Sequence, residues 1–272
     1  MDKKQIEQRC FDLTRDYVTN RLNEKKRKYI NSLVPICNKD FFPITSERPD
    51  FVSNCEECSY TIEHFLVDYC NDGINNNQSE SRRANRDVMN IYRKYHDQVI
   101  GTIKESDIDA ASQEIEEELN RIVNISLAFD YGKYVDAFRR IFEQHYSRVD
   151  EYLSNILIKR NSTRIGFLIE FRCDTTFMHA IYNNADVSFK GKHKPFPLTK
   201  DIVDLLRTAK KLDFVMISQF NEGVAIESQD VRIYEPNDMD KSIREQHIKV
   251  YDKVYYEKVK KNISFGIRKE VE

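Results

Sequence analysis

Val135-Asp136-Ala137-Phe138-Arg139-Arg140-Ile141-Phe142-Glu143-Gln144-His145-Tyr146-Ser147-Arg148-Val149-Asp150-Glu151-Tyr152-Leu153-Ser154-Asn155-Ile156 is the stretch on which the reading of the fold turns. Val135, Phe138, Phe142, His145, Val149, Tyr152 and Ile156 follow one another at alternating spacings of three and four residues. That alternation is the apolar stripe of a helix packed lengthwise against other helices. It predicts one long helix running to about Lys159 and makes the first half of the chain a helical assembly.

Working outward toward the N-terminus, Ile6, Cys10, Leu13, Tyr17, Leu22, Tyr29 and Leu33 give residues 3 to 33 a helical face, which Pro35, Pro43 and Pro49 then interrupt. Ser59 to Tyr69 reads as a short helix with Ile62, Phe65, Leu66 and Tyr69 on one side. Val88 to Ile103 and Ile108 to Ile122 read as two more, the second capped by Ser106. The pattern changes at Lys159-Arg160-Asn161-Ser162. Ile165, Phe167, Ile169, Phe171 and Cys173 alternate along a strand, and Leu168 between them predicts cover on both sides. Thr199 caps a helix through Ile202, Leu205, Leu206 and Ala209, and Phe214–Ser218, Val224–Glu227 and Val231–Tyr234 read as strands. A last helix is expected from Asp240 through Val259, and a last strand at Ile263, Phe265 and Ile267. The expected fold is α+β and mainly α. An N-terminal helical bundle over 1–160 precedes a small mixed α/β unit over 161–272, either independent or packed on the bundle as one unit.

Composition narrows the function classes. Seven glycines in 272 residues argue against glycine-dependent phosphate loops and against a turn-rich all-β fold. Forty-three basic residues against 45 acidic ones leave no global pull toward nucleic acid or anionic membrane. No apolar run approaches the roughly 20 residues of a membrane span, and the first residues lack the apolar stretch of a secretory signal. Six scattered cysteines in a chain of this size read as reduced thiols. A soluble, cytoplasmic protein is expected, and the Lys, Asn and Ile load points to a low-GC bacterial or viral genome. None of the common nucleotide, hydrolase or zinc-protease strings occurs.

Three segments carry candidate chemistry. Arg140-Ile141-Phe142-Glu143-Gln144-His145, inside a helical region, resembles the motif of HEPN-family ribonucleases. The resemblance implies metal-independent RNA cleavage across a dimer interface, with His145 as general acid or base and Arg140 stabilising the phosphate charge. Beside it stands the plainer reading of a histidine held in a packed core.

Cys55-Glu56-Glu57-Cys58, followed by His64 and Cys70, has the residue types of a zinc site, and Cys37 is an additional candidate ligand. On a helix, His64 and Cys70 stand about 120° apart, so no metal or other cofactor is expected. Ser188 to Lys200 holds Lys190, Lys192 and Lys194 with Phe189 and Phe196, a positive and stackable segment suited to phosphates and bases. Its plainer reading is a solvated loop anchored by its phenylalanines. Together these features predict a non-catalytic interaction or assembly protein. It would meet a protein partner or its own copies through helical surfaces and contact nucleic acid through Lys190, Lys192, Lys194 and Phe196. The HEPN-like ribonuclease is the alternative.

Overall fold

A mixed sheet, and not a bundle, organises the chain. The structure, a computed structural model, describes residues 3–38, 41, 44–45, 48–54, 58–67, 113, 117, 131–155, 162–171, 178–188, 196–220 and 229–256. The elements in order are α1 (Lys3–Asn20), α2 (Glu24–Leu33), β1 (Ile44–Thr45), β2 (Phe51–Asn54), β3 (Cys58–Val67), α3 (Tyr131–Tyr146), α4 (Val149–Ser154), β4 (Ser162–Phe171), β5 (Met178–Tyr182), β6 (Ala185–Ser188), α5 (Lys200–Thr208), β7 (Phe214–Gln219), β8 (Asp230–Tyr234), α6 (Met239–Gln246) and β9 (Lys253–Tyr256).

The main sheet has the order β1-β2-β3-β4-β7-β8. Its centre, β3-β4-β7, is parallel, and the pairs toward either edge are antiparallel. A second, antiparallel sheet has the order β6-β5-β9. The fold is α+β, but among the described residues the expected N-terminal helical bundle is not there. β3 pairs with β4 over ten residues, so strands from both sides of residue 160 share one sheet.

The reason lies in what an apolar stripe can report. Val135, Phe138, Phe142, Val149 and Tyr152 are all buried, as the spacing predicts, yet they lie against β3 and β4 in the core that holds Phe65, Phe167 and Phe171. A stripe of threes and fours records that one face is covered, and a sheet covers it as well as a helix. The long helix is also two helices. α3 stops at Tyr146, and Ser147 and Arg148 turn the chain before α4.

Ser59–Tyr69, expected as a helix, is instead strand β3. It is buried on both faces from Ser59 to Phe65. A strand covered on both sides loses its alternation, and Ile62, Phe65 and Leu66 then match a helical spacing by coincidence. The helix that opens at Asp240 ends early: His247 takes a left-handed conformation (φ 53°), and the chain goes on to β9. The expected helices at 88–103 and 108–122, the strands at 224–227 and 263–267, and the basic residues 190–194 fall outside the described residues. Among the described residues no helix is long and apolar enough to cross a membrane.

Two layers cover the main sheet. α3, α4 and α5 bury Phe65, Ile165, Phe167, Ile169, Phe171, Val215 and Ile217 on one face. α1 and α2 bury Tyr60, Ile62, Leu168, Phe214, Met216, Val231 and Ile233 on the other. Gly166 lets the Phe214 ring lie flat on β4: a methyl group there would sit 2.3 Å from the ring.

Candidate functional site

On the α1 face each central strand changes from apolar to polar toward its carboxyl end. Ile62 gives way to His64 on β3, Leu168 to Glu170 on β4, and Met216 to Ser218 on β7. The carboxyl ends of parallel strands are where open α/β sheets collect their ligands. α1 crosses above this row. Its inward residues Glu7, Cys10, Thr14 and Tyr17 recur every three or four positions, so each turn of the helix meets the next strand. Glu7 lies beside Asp50, next to β3. Cys10 sits over His64 and Glu170, Thr14 meets Ser218 at 2.8 Å, and Tyr17 reaches Asp230 of β8 at 3.5 Å.

The row begins with carboxylates. The pairing of Phe51 with Ile62 brings Asp50, just ahead of β2, to the level of Glu63. Asp50 Oδ2 accepts the backbone N–H of His64 at 2.8 Å, so a side chain completes the edge of β3 where β2 has not yet begun. Asp50, Glu63 and Glu7 are all buried. Burial, and then the neighbouring Glu63 carboxylate, push the Asp50 carboxyl up to about 7; Glu7 adds to this, and the N–H of His64 opposes it. Lys3 Nζ stands 3.0 Å from Glu7 and 3.5 Å from Asp50, with its side chain 80% exposed, and so marks where solvent meets the buried acids.

Glu63 turns to the other face of β3. Its Oε1 lies 3.1 Å from His145 Nδ1, which is also 3.3 Å from the Tyr152 hydroxyl. The His145 ring is stacked on Phe65 at 4.3 Å. Glu63 Oε2 is buried and has no hydrogen-bond partner. Burial and the Glu63 carboxylate push the Tyr152 hydroxyl far up, keeping it protonated.

His145 therefore faces inward, as its place in the stripe implies, and its neighbours are Glu63, Phe65 and Tyr152. Arg140 lies on the exposed side of α3, and the described residues hold no bundle of the kind that the HEPN resemblance implies. Phe196 is buried against Phe171 (4.7 Å) and Phe138 (5.9 Å), as an anchor of its segment. Lys200, Arg207 and Lys211 from the same basic stretch contact Asp252, Asp240 and Asp150.

Cys58 and His64 lie six residues apart on one strand, about 20 Å, too far to share an ion. His64 instead meets Cys10 and Glu170. One ligand atom from each of the three lies within 4.8 Å of the other two, and all three residues are buried. His64 Nε2 is 3.3 Å from Glu170 Oε2, but no hydrogen bond satisfies it. Neither a family model, nor a curated protein, nor a solved structure matches this chain.

Proposed function

We propose that the chain is a divalent-cation-assisted hydrolase of phosphate esters, built on Asp50 and Glu63. The observation that carries this reading is Asp50 itself. It is a buried carboxylate that feels the charge of Glu63 and, more weakly, of Glu7, and the Lys3 ammonium meets it only from the solvent side at 3.5 Å. Such a group of negative charges needs a proton or a cation. Hard cations such as Mg²⁺ and Mn²⁺ take carboxylate oxygens and complete their shells with water and substrate phosphates. A bound cation would polarise the phosphoryl oxygen and activate a water. In this reading Asp50 and Glu63 supply the ligand oxygens, and His145 holds Glu63 in place through Oε1. Lys3 faces the incoming phosphate from the open side.

Nucleic acid is the substrate class to test first, with Lys190, Lys192 and Lys194 as its added contacts. A cytoplasmic setting goes with the cysteines, since Cys10, Cys37 and Cys58 are thiols. The expectation of a non-catalytic assembly protein rests on the apolar helical stripe, the aromatic load and the absence of catalytic strings. Among the described residues that stripe packs on a sheet, and Asp50 and Glu63 come near each other only through the fold.

The test incubates purified protein with DNA, RNA and bis(p-nitrophenyl) phosphate, in Mn²⁺ or Mg²⁺ and in EDTA. Cation-dependent cleavage is expected, with Asp50→Asn lowering the rate about 100-fold or more. Cleavage that survives EDTA and disappears in His145→Ala would belong to the Arg140–His145 reading instead. No cleavage of any substrate by folded protein in either cation would end the hydrolase proposal and return the chain to the interaction class.

A further inference from the structure

The geometry points to a second, softer metal site: Cys10, His64 and Glu170 hold a zinc-class ion between α1 and the sheet. Three observations carry it. The first is the donor set, one thiol, one imidazole and one carboxylate, the combination that Zn²⁺ and its neighbours accept and that Mg²⁺ does not favour. The second is spacing. The three donor atoms lie within 4.8 Å of one another, and His64 Nε2 and Glu170 Oε2 are 3.3 Å apart. Two donors about 2.0–2.2 Å from a tetrahedral zinc stand roughly 3.3–3.6 Å from each other.

The third is the state of His64. Its side chain is only 6% exposed, and Nε2 has no hydrogen-bond partner although a carboxylate oxygen is beside it. Buried ring nitrogens are normally satisfied, and an orphan of this kind asks for an explanation. A metal ion supplies one without moving the ring.

The surroundings suit such an ion. The backbone of His64 is pinned by the Asp50 carboxylate at 2.8 Å, which fixes the strand that carries the ligand. Thr14 ties the helix on the other side, donating to the Cys10 carbonyl at 2.7 Å and meeting Ser218 at 2.8 Å. Three protein ligands leave one tetrahedral position for water or another small ligand. Binding requires the thiolate and the neutral imidazole, so loading the site releases the Cys10 proton. The ligands come from three distant segments, so the ion would clasp α1 to β3 and β4.

This site uses none of Glu7, Asp50 or Glu63 as ligands, so it stands or falls apart from the hydrolase. Full-length protein is made in zinc-supplemented medium and analysed for metal, then stripped and titrated with Co²⁺. About one zinc per chain is expected, together with a thiolate-to-cobalt charge-transfer band. Cys10→Ser and His64→Gln should lose the band, and Asp50→Asn should keep it. Zinc should also slow alkylation of Cys10 in the unaltered protein, as mapped by mass spectrometry, so the conclusion does not depend on a variant folding.

Near-zero zinc with no thiolate band in folded protein would overturn the proposal and leave His64 and Glu170 as a buried polar pair. A band that persists in Cys10→Ser would overturn it as well, since the thiolate would then come from elsewhere. Cys10→Ser protein that still cleaves phosphodiesters in Mn²⁺ keeps the two sites distinct. Protein that binds cobalt but cleaves nothing supports this site alone.

Discussion

The two faces of the main sheet are both buried and are filled with different chemistry. Under α3, α4 and α5 the sheet presents rings and branched chains: Phe65 meets Phe167 edge-on at 5.2 Å, Phe142 meets Phe167 at 5.6 Å, and Phe171 meets Phe196 at 4.7 Å. That face turns polar beside β2, where Glu63, His145 and Tyr152 meet. Under α1 the amino ends of the same strands are apolar, but their carboxyl ends carry His64, Glu170 and Ser218. Dispersion and burial account for the first face. They do not account for the second, where hydrocarbon in the same space would satisfy packing without unpaired polar atoms. The contrast marks the ring-filled part of the first face as scaffold, and the polar ends (Glu63 with His145 on that face; His64, Glu170 and Ser218 on the other) as the places where the fold gives up stability for chemistry.

The largest effect expected from breaking this contrast is on the scaffold side. Phe167 is fully buried, with rings against two of its edges, so Phe167→Ala should destabilise by about 3–5 kcal/mol in chemical denaturation. A loss under about 1 kcal/mol would mean that this face is loosely packed and that the two layers do not differ as described.

The next effect depends on pH and belongs to the polar side. The Asp50 carboxyl rises from its ordinary 3.8 to about 7 in the fold, so between those values the native state holds a proton that the unfolded chain has lost. Stability should be greatest near pH 4, as far as this group is concerned, and should fall as pH rises toward 7. Asp50→Asn should flatten that fall and raise the melting temperature at pH 8 in EDTA. Mn²⁺ should recover the same stability for the unaltered chain. A melting temperature equally pH-dependent in both proteins would show that Asp50 is not the strained group.

Much of the scaffold was legible in the sequence, and the reason is periodicity. The stripe from Val135 to Tyr152 gives the buried face of α3 and α4, though not the break between them, and the alternation from Ile165 to Phe171 describes the strand β4. What they cannot describe is the partner. A helix on a sheet and a helix on a helix leave the same stripe, and so a bundle was expected where a sheet lies. β3 was lost for a related reason, because burial on both sides erases the alternation that identifies a strand. The site was harder. Glu7, Asp50, Glu63 and Glu170 are spread over more than 160 positions with no shared string. In the sequence His64 stands out only through its neighbours Cys58 and Cys70. One signal was available: Ile6, Cys10, Leu13 and Tyr17 suggest a face for α1, yet the buried stripe is Glu7, Cys10, Phe11, Thr14 and Val18. Glutamate and threonine inside a helix's buried stripe are the mark of a wet or ligand-bearing core, and apolar residues alone do not reveal it.

The smallest effect tests whether the polar row is kept for stability at all. Thr14 and Ser218 join α1 to β7 through a 2.8 Å contact between two hydroxyls, and both residues are fully buried. Ser218→Ala leaves the Thr14 hydroxyl its bond to the Cys10 carbonyl at 2.7 Å, so the loss should be modest, about 0.5–1.5 kcal/mol. Thr14→Val leaves Ser218 facing a methyl group and should cost about 1–3 kcal/mol. The double variant removes both hydroxyls together and puts hydrocarbon on each side of the interface. If the pair serves stability, the double variant should be at least as weak as the worse single one. If the row exists for chemistry, it should regain most of the loss, because replacing both partners is close to neutral. We expect recovery to within about 1 kcal/mol of the unaltered chain, read as a positive coupling in a double-mutant cycle by denaturation. That result would separate the row from the ring-filled face, where no paired substitution by smaller residues can restore the contacts that Phe167 makes.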